Sequence, residues 1–352
     1  MFRFDQLKLI HLEITNRCQA SCPMCLRNIN GGIENPLLKY NDWTIEDYKE
    51  IINSEVLKQI QLIYFCGTYG DPLLNNDLLQ MCKYSKDVNP KISIDIYTNG
   101  SLRSKQWWKE LAHALPKNHR IIFGIDGLAD THSLHRIGTS FEKIIENART
   151  FIEEGGIAEW HYLIFKHNQH QVDQAQQLAQ ELGFSKFQKK QSTRFLLEPK
   201  APVVNKNKKL EYFIEPADTN RLKFIDKQDV ENYQQIVDST EISCKVLHTK
   251  EIYIDAHMDL YPCCWHANTP YDYIPNDITK EVRQKMLEQH WEMRQKFAFD
   301  SAKTKGIKNI VNSQEYQTVW NEYWSSQNKS YTCVRSCGKN VNFAQTSQQF
   351  LE

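Results

Sequence analysis

The sequence lacks an excess of charge, a long apolar run and an export signal. Its 352 residues include 43 Lys and Arg against 43 Asp and Glu, so the formal net charge is zero. That balance argues against a protein whose main task is to hold a polyanion. No stretch approaches the roughly 18–20 apolar residues of a membrane span, and Arg3 and Asp5 place charge too early for a secretory signal. We therefore expect a soluble, folded, cytoplasmic protein with no membrane partner.

Cysteine, by contrast, is abundant and clustered. The chain has 10 cysteines. That number calls for an explanation, but it is too low for a disulfide scaffold in a chain of this length. Without an export signal, grouped thiols indicate metal or redox chemistry rather than structural bridges. One group lies near the N-terminus (Cys18, Cys22 and Cys25) and a second lies in the last third (Cys244, Cys263, Cys264, Cys333 and Cys337). Cys66 and Cys82 stand between them and are predicted to be small buried hydrophobic residues.

The first 190 residues predict a repeated strand–helix unit. Strands are expected at 9–15, 61–66, 92–97, 120–125, 158–165 and 184–188. Apolar residues at helical spacing predict helices at 45–59, 105–114, 141–154 and 178–182. Six such units imply a parallel sheet with helices outside, because each parallel strand needs a crossover. Since eight units close a full barrel, we predict an α/β fold with an open, partial (β/α)6 TIM-like barrel.

Beyond this predicted barrel domain, 1–190, the alternation stops. We interpret 191–240 as a basic linker, which either is a solvated connection or lines the barrel mouth to receive an anionic substrate. The basic side chains in and just before this segment include Lys186, Lys189, Lys190, Arg194, Lys200, Lys206, Lys208 and Lys209. A second, α+β domain is expected over 241–352. Its predicted elements are a hairpin around 251–255 and 260–262, and helices near 280–297 and 314–324.

Cys18, Cys22 and Cys25 follow the first predicted strand directly, with the spacing C-x3-C-x2-C. Three thiolates on one short loop can bind three irons of a [4Fe–4S] cluster and leave the fourth iron without a protein ligand. An open coordination position is where metal chemistry takes place. The alternative is a zinc site, but zinc favours four ligands and no fourth is near, since His11 lies too far back along the strand.

This loop resembles the signature of the radical S-adenosylmethionine (SAM) superfamily, in which the cysteine loop follows the first strand of a partial βα barrel. Further turns resemble the family in the same order along the chain. The residues at its SAM-binding positions are Tyr69, Gly70 and Asp71 after the second strand, and Thr98 and Asn99 after the third. The resemblance implies that the turn after the second strand meets the SAM ammonium group.

The segment after the fourth strand also resembles the family. Gly124 stands where many members have Ser, and Asp126 follows within the same motif. Arg136 is implied to pair with the SAM carboxylate, because guanidinium and carboxylate match bidentately; the alternative is an ordinary surface arginine. Met24 stands where the family places a bulky residue near the adenine, and a thioether packs well there.

The resemblance implies the cofactors and chemistry of the family. SAM binds the open iron of the [4Fe–4S] cluster, and a flavodoxin- or ferredoxin-type donor supplies one electron. Reductive cleavage of SAM then gives a 5′-deoxyadenosyl radical, which abstracts hydrogen from the substrate. The cofactor supplies that chemistry, while the protein supplies position and the exclusion of water and oxygen.

The C-terminal cysteines resemble the auxiliary-cluster domains called SPASM and twitch. The implied ligands of one auxiliary [4Fe–4S] cluster are Cys244, Cys263, Cys333 and Cys337. Five cysteines fit the one-cluster twitch version better than a full SPASM domain, which binds two clusters. Spacing favours Cys263 over its neighbour Cys264 as the ligand. A zinc ion held by four thiolates is the alternative.

We predict a radical SAM enzyme that oxidises or modifies a peptide or a small molecule, with an auxiliary cluster that accepts an electron or anchors the substrate. The cysteine loop starts at residue 18, which disfavours an N-terminal peptide-recognition domain. Two alternatives stay open: radical SAM modification of RNA through the basic segment, and a non-radical zinc-binding protein. Zero net charge makes nucleic acid the less favoured partner.

Overall fold

One eight-stranded sheet organises the protein. The computed structural model describes residues 1–195, 200–219, 231–271, 280–297, 301–325 and 329–339. The strands in chain order are β1 (Leu9–Leu12), β2 (Asn28–Ile29), β3 (Ile33–Glu34), β4 (Leu62–Phe65), β5 (Ser93–Thr98), β6 (His119–Gly124), β7 (Ala158–Ile164), β8 (Lys186–Gln191), β9 (Ala201–Val204), β10 (Leu210–Ile214), β11 (Glu251–Ile254) and β12 (Leu260–Tyr261). In space the large sheet runs β12-β11-β1-β4-β5-β6-β7-β8, and β2–β3 and β9–β10 form separate pairs.

Helices connect the strands and continue into the cysteine-rich region. They are α1 (Ile45–Ile51), α2 (Ser54–Gln59), α3 (Leu78–Val88), α4 (Lys105–Ala114), α5 (His132–His135), α6 (Phe141–Glu153), α7 (Val172–Glu181), α8 (Tyr233–Ser239), α9 (Lys245–Thr249), α10 (Cys264–Asn268), α11 (Lys280–Phe297), α12 (Ala302–Lys305), α13 (Ile307–Asn312), α14 (Gln314–Ser325) and α15 (Tyr331–Cys337). No helix in the described ranges is long and apolar enough to cross a membrane.

The six predicted strands of the barrel are present and pair in parallel in their chain order, which confirms the α/β fold. Alternate side chains point to opposite faces of the sheet. On the face toward the helices, Ile10, Ile63 and Ile94 are fully buried in the main hydrophobic core. On the inner face, the rings of His11 and Tyr64 stack with their centroids 4.1 Å apart. The inner face is therefore polar and aromatic.

The sheet is wider than the six predicted strands because the cysteine-rich region adds two more. β11 pairs in parallel with β1, and β12 pairs antiparallel with β11. All four residues of β11 are buried. This pairing brings the second cysteine group to the side of the barrel next to β1.

Two local features differ from the predictions. The helix expected at 45–59 is split into α1 and α2, because the side chain of Asn53 caps α2 by accepting hydrogen bonds from the backbone of Glu55 and Val56. The basic linker is not featureless, because β9 and β10 form a hairpin within it. The backbone N–H of Val204 in that hairpin donates to the Asn30 carbonyl at 2.9 Å. The linker residues 196–199 and 220–230 lie outside the described residues.

Candidate functional site

The N-terminal cysteine loop, residues 18–25, is held against the ends of neighbouring strands. The Gln19 side-chain amide donates to Asn99 Oδ1 at 2.7 Å, beyond the end of β5. The Ser21 backbone N–H donates to the Ile137 carbonyl at 2.8 Å, after α5. Within the loop, the Cys25 N–H donates to the Cys22 carbonyl at 3.1 Å. These contacts fix the loop at the carboxyl ends of the strands, where βα barrels carry their sites.

Two thiols of this loop, those of Cys22 and Cys18, lie in surroundings that differ in charge. Burial raises the pKa of Cys22 to about 11, while the nearby Arg136 guanidinium acts in the opposite direction. Burial also raises the pKa of Cys18, whose Sγ lies 3.4 Å from the Ala20 backbone N–H and 3.9 Å from Asn99 Nδ2. Metal ligation needs thiolates. The Arg136 charge and these N–H donors stabilise the thiolate form of the cysteine sulfurs.

Arg136 is fixed by a buried acid beside β6. Its Nε donates to Asp126 Oδ2 at 2.6 Å, and His135 Nδ1 donates to the same oxygen at 2.8 Å. The other Asp126 oxygen accepts the Leu163 N–H at 2.8 Å. Burial alone would raise the pKa of Asp126, but the Arg136 charge and these hydrogen bonds hold it well below its usual range. The Arg136 side chain is only 25% exposed, so it is not an ordinary surface arginine.

Gly124 leaves room for this arginine. A Cβ added at Gly124 would lie 2.7 Å from Arg136 Nη2. The guanidinium thus crosses the end of β6, close to Cys22 on one side and Asp126 on the other. The serine that many family members have here would need Arg136 to shift.

The turn after β4 is anchored by an acid that the sequence patterns did not single out. Glu13 Oε1 accepts hydrogen bonds from the backbone N–H groups of Tyr69 at 2.7 Å and Gly70 at 3.0 Å. Its other oxygen accepts the Tyr253 hydroxyl at 2.5 Å, so one carboxylate joins β1, the turn and β11. The only signal in the sequence is an acid at the end of an apolar strand.

Asp71 joins the turns that follow β4 and β5. Its carboxylate accepts the Thr98 hydroxyl at 2.9 Å and the Asn99 backbone N–H at 2.8 Å. It also accepts the Leu73 N–H at 3.0 Å, and the residue is buried. The structure therefore brings Asp71, Thr98 and Asn99 together. Their contact with SAM stays a prediction.

Gly70 is expected to tolerate no side chain. A Cβ there would lie 1.9 Å from the Thr15 carbonyl oxygen, which is backbone and cannot move aside cheaply. We expect Gly70→Ala to lower the free energy of unfolding by about 2–3 kcal/mol and to weaken SAM binding, measured by urea denaturation and by isothermal titration calorimetry of the reconstituted protein.

Gly155→Ala is the control, since nothing lies within 4 Å of its added Cβ. It should cost about 1–2 kcal/mol through its left-handed backbone alone and keep SAM affinity. Equal SAM affinity in both variants would contradict the expectation.

The two cysteines between the groups differ in their surroundings. Cys82 on α3 is fully buried in the core, which confirms the packing prediction. Cys66 follows β4 directly and is only partly buried, so the same prediction is wrong for it. Burial raises the pKa of Cys66 to about 12, Glu13 acts in the same direction, and Lys190 opposes it. Cys66 is thus a thiol of the barrel interior among ionisable groups.

The basic residues of the linker region also separate into two sets. Lys206, Lys208 and Lys209 are exposed on and beside the β9–β10 turn, as expected of a solvated segment. Lys190 on β8 is half-buried, and burial lowers its pKa. Arg194 Nη1 donates to the Met24 carbonyl in the cysteine loop. The exposed lysines fit the solvated connection, whereas reception of an anionic substrate by the basic segment stays a prediction.

The C-terminal cysteines approach one another from three segments. A bridge between Ile242 and Gly338, together with a 2.9 Å hydrogen bond from the Ser243 N–H to the Cys337 carbonyl, brings Cys244 beside Cys337. Burial raises the pKa of Cys333 to about 12, and Cys244 and Cys337 add to that shift.

Cys263 and Cys264 have different neighbours although they are adjacent in the chain. Burial, Cys264 and Cys333 raise the pKa of Cys263. For Cys264, burial followed by Glu251 and Cys66 raises the pKa to about 12. Cys263 therefore lies near Cys333, while Cys264 lies near Glu251 and Cys66 of the barrel interior. The choice of Cys263 as the ligand stays a prediction.

The C-terminal group offers thiols and a buried hydroxyl as possible partners of a metal site. In the ranges that the structure describes, no three His, Cys, Asp or Glu side chains are placed to share one metal ion. Tetrahedral zinc needs its sulfurs at about 2.3 Å from one centre, whereas the cysteines of a four-iron cluster bind separate irons. The Tyr316 hydroxyl is buried beside these thiols without a hydrogen-bond partner among the described residues. A buried hydroxyl of this kind fits a site with sulfur acceptors.

Comparison with known proteins agrees with this geometry. Residues 12–181 match the model of the Radical SAM superfamily. Over 150 residues the chain is 27% identical to 7,8-dihydro-6-hydroxymethylpterin dimethyltransferase of Methanocaldococcus jannaschii, covering 40% of this chain and 27% of that protein. Over 116 residues it is 30% identical to the FeMo cofactor biosynthesis protein NifB of Methanocaldococcus infernus, covering 31% and 37%. The chain thus spans about a third of the length of these curated relatives.

The whole fold has solved counterparts. The structure of native anSMEcpe with bound AdoMet and Cp18Cys peptide matches with a TM-score of 0.52 at 14% identity, covering 98% of this chain and 92% of that one. At that identity the match shows the fold alone. Residues 12–181 therefore carry a radical SAM domain.

Proposed function

We propose that the protein is an enzyme that reductively cleaves SAM and abstracts hydrogen from a peptide or a small molecule. Cys18, Cys22 and Cys25 would hold a [4Fe–4S] cluster with one open iron. The observation that carries the proposal is their position on one anchored loop beside Arg136, at the carboxyl edge of the radical SAM sheet. When bound, the cluster and SAM supply the 5′-deoxyadenosyl radical.

The residues around the loop would bind and orient SAM. Arg136, held by Asp126, presents a guanidinium suited to the SAM carboxylate. Asp71 fixes the two turns that would face the ammonium group. Met24 packs on an apolar cluster that includes Phe165 and Phe195, and it would contribute its thioether beside the adenine. These side chains position the cofactor and exclude water.

The C-terminal group would hold one auxiliary [4Fe–4S] cluster that accepts an electron or anchors the substrate. Its proposed ligands are Cys244, Cys263, Cys333 and Cys337. A flavodoxin- or ferredoxin-type protein is the proposed electron donor. We place the enzyme in the cytoplasm, where reducing conditions keep cysteines available as ligands.

Both substrate classes have support among the similar proteins. The anSMEcpe structure contains a peptide, and the pterin dimethyltransferase is named for a small molecule. RNA is the less favoured substrate, because the linker hairpin bonds to Asn30 just after the cysteine loop and Arg194 donates to the Met24 carbonyl within that loop. The net charge of zero agrees.

Iron and sulfide content, with low-temperature EPR of the dithionite-reduced protein, tests the proposal. After anaerobic reconstitution we expect about eight irons per chain, because two four-iron clusters are proposed. One of two EPR signals should shift when SAM is added. About four irons with a SAM-sensitive signal would restrict the proposal to the N-terminal site. The absence of any SAM-sensitive cluster would overturn it.

Adjacent cysteines provide a matched test of the auxiliary site. We expect Cys263→Ala and Cys333→Ala each to lose about four of about eight irons, because each removes one ligand of a four-iron cluster, and to keep the SAM-sensitive EPR signal. Cys264→Ala should retain all the iron, since Cys264 lies toward the barrel interior. Loss of iron from Cys264→Ala but not from Cys263→Ala would reverse the assignment.

A further inference from the structure

His266 touches one of the proposed auxiliary ligands. It is the third residue of α10 and is 1% exposed. Its Nε2 is 3.2 Å from Cys333 Sγ. Cys333 belongs to α15, where the Ser330 hydroxyl accepts its backbone N–H at 3.3 Å. Because α10 begins immediately after Cys263, His266 links two segments that carry ligands.

A second polar group lies near the same sulfurs. Tyr316 on α14 is 2% exposed, and its hydroxyl has no hydrogen-bond partner in the described part of the chain. A buried donor left without an acceptor costs about 1–3 kcal/mol. Burial and then the nearby Cys263 and Cys244 thiols raise the pKa of the Tyr316 hydroxyl. Sulfur is therefore an acceptor available to this hydroxyl.

We propose that His266 is a positioning residue of the auxiliary cluster, donating its Nε2–H to the Cys333 thiolate and making the cluster easier to reduce, with Tyr316 acting in the same sense from α14. The inference rests on the proposed auxiliary site. Reduction adds negative charge to the cluster and its sulfurs. A hydrogen bond to sulfur therefore stabilises the reduced state more than the oxidised state and raises the reduction potential.

Two substitutions at His266 separate donation from bulk. His266→Leu removes the donor, whereas His266→Gln keeps an N–H near the same place. In redox titrations followed by EPR, we expect His266→Leu to disfavour reduction of the auxiliary cluster about tenfold, which is about 59 mV for one electron. His266→Gln should stay within about threefold of the parent protein. Tyr316→Phe, which removes only the hydroxyl, should also disfavour reduction.

The N-terminal cluster in the same sample is the internal reference, and its potential should not move. Iron and sulfide content should stay at the parent level in all three variants. Unchanged auxiliary potentials in both His266→Leu and Tyr316→Phe would overturn the proposal. Loss of about half the iron from both His266 variants would also overturn it, because His266 would then be a ligand. A parent protein with only one cluster would show instead that the auxiliary site itself is wrong.

Discussion

Replacing Cys22 by Ala is expected to reduce 5′-deoxyadenosine formation to the background level. The N-terminal loop offers three thiols, and the proposed open-site cluster needs all of them. Cys22 is also the thiol beside Arg136, where a thiolate gains most from a neighbouring positive charge. With one ligand removed, the loop would no longer hold a cluster that can bind and reduce SAM.

The Cys22 variant should still fold. The hydrogen bonds that shape the loop there use the Cys22 carbonyl, which accepts from the Cys25 N–H and the Asn28 side-chain amide. Alanine keeps that carbonyl. Cys82→Ala is the control, since Cys82 is a buried thiol in α3 away from the loop. It should keep iron content and deoxyadenosine formation. Parent-level deoxyadenosine from Cys22→Ala would refute the N-terminal assignment.

The barrel was predictable because its signals are local. Five of the six strands are short, mainly apolar segments, and β8 is the exception. Helices beside them begin at capping residues such as Ser104 and Ser140, and the structure has both caps. The parallel pairing of β11 with β1 was not predictable from such signals. The partners Leu9 and Glu251 lie far apart in the chain. A buried four-residue strand does not specify which edge of a sheet it joins.

In the candidate site, too, local sequence signals identify some residues and miss those that act through long-range contacts. Asp71, Thr98 and Asn99 were recognised in turns that follow neighbouring strands, and the structure places these residues in contact. Glu13 and His266 were missed because each acts through a long-range contact. Glu13 binds two backbone N–H groups after β4, and His266 meets a cysteine 67 positions away. Neither contact leaves a spacing pattern in the sequence.

Asp126→Asn is expected to cost about 3–5 kcal/mol in the free energy of unfolding at pH 7, because it removes one partner of a buried ion pair. Asp126 is fully buried and accepts hydrogen bonds from Arg136, His135 and the Leu163 backbone. Asparagine keeps the shape but not the charge. It leaves the Arg136 guanidinium beside β6 without its counter-ion, so SAM affinity should fall as well.

The loss of stability in Asp126→Asn should depend on pH. The pKa of folded Asp126 lies well below the value of about 3.9 for an unfolded aspartate. Its contribution is therefore complete at pH 7 and declines as the pH falls below about 4, where the unfolded chain takes up the proton first. Urea denaturation from pH 7 to pH 3 should show that the difference in free energy of unfolding between parent and variant narrows.

Asp130→Asn is the matched control on the same loop. Asp130 is exposed and bonded to Gln171 at 2.8 Å, so its substitution should change the free energy of unfolding by less than about 0.5 kcal/mol. An Asp126→Asn protein as stable as the control would show that Arg136 is held by something other than this charge.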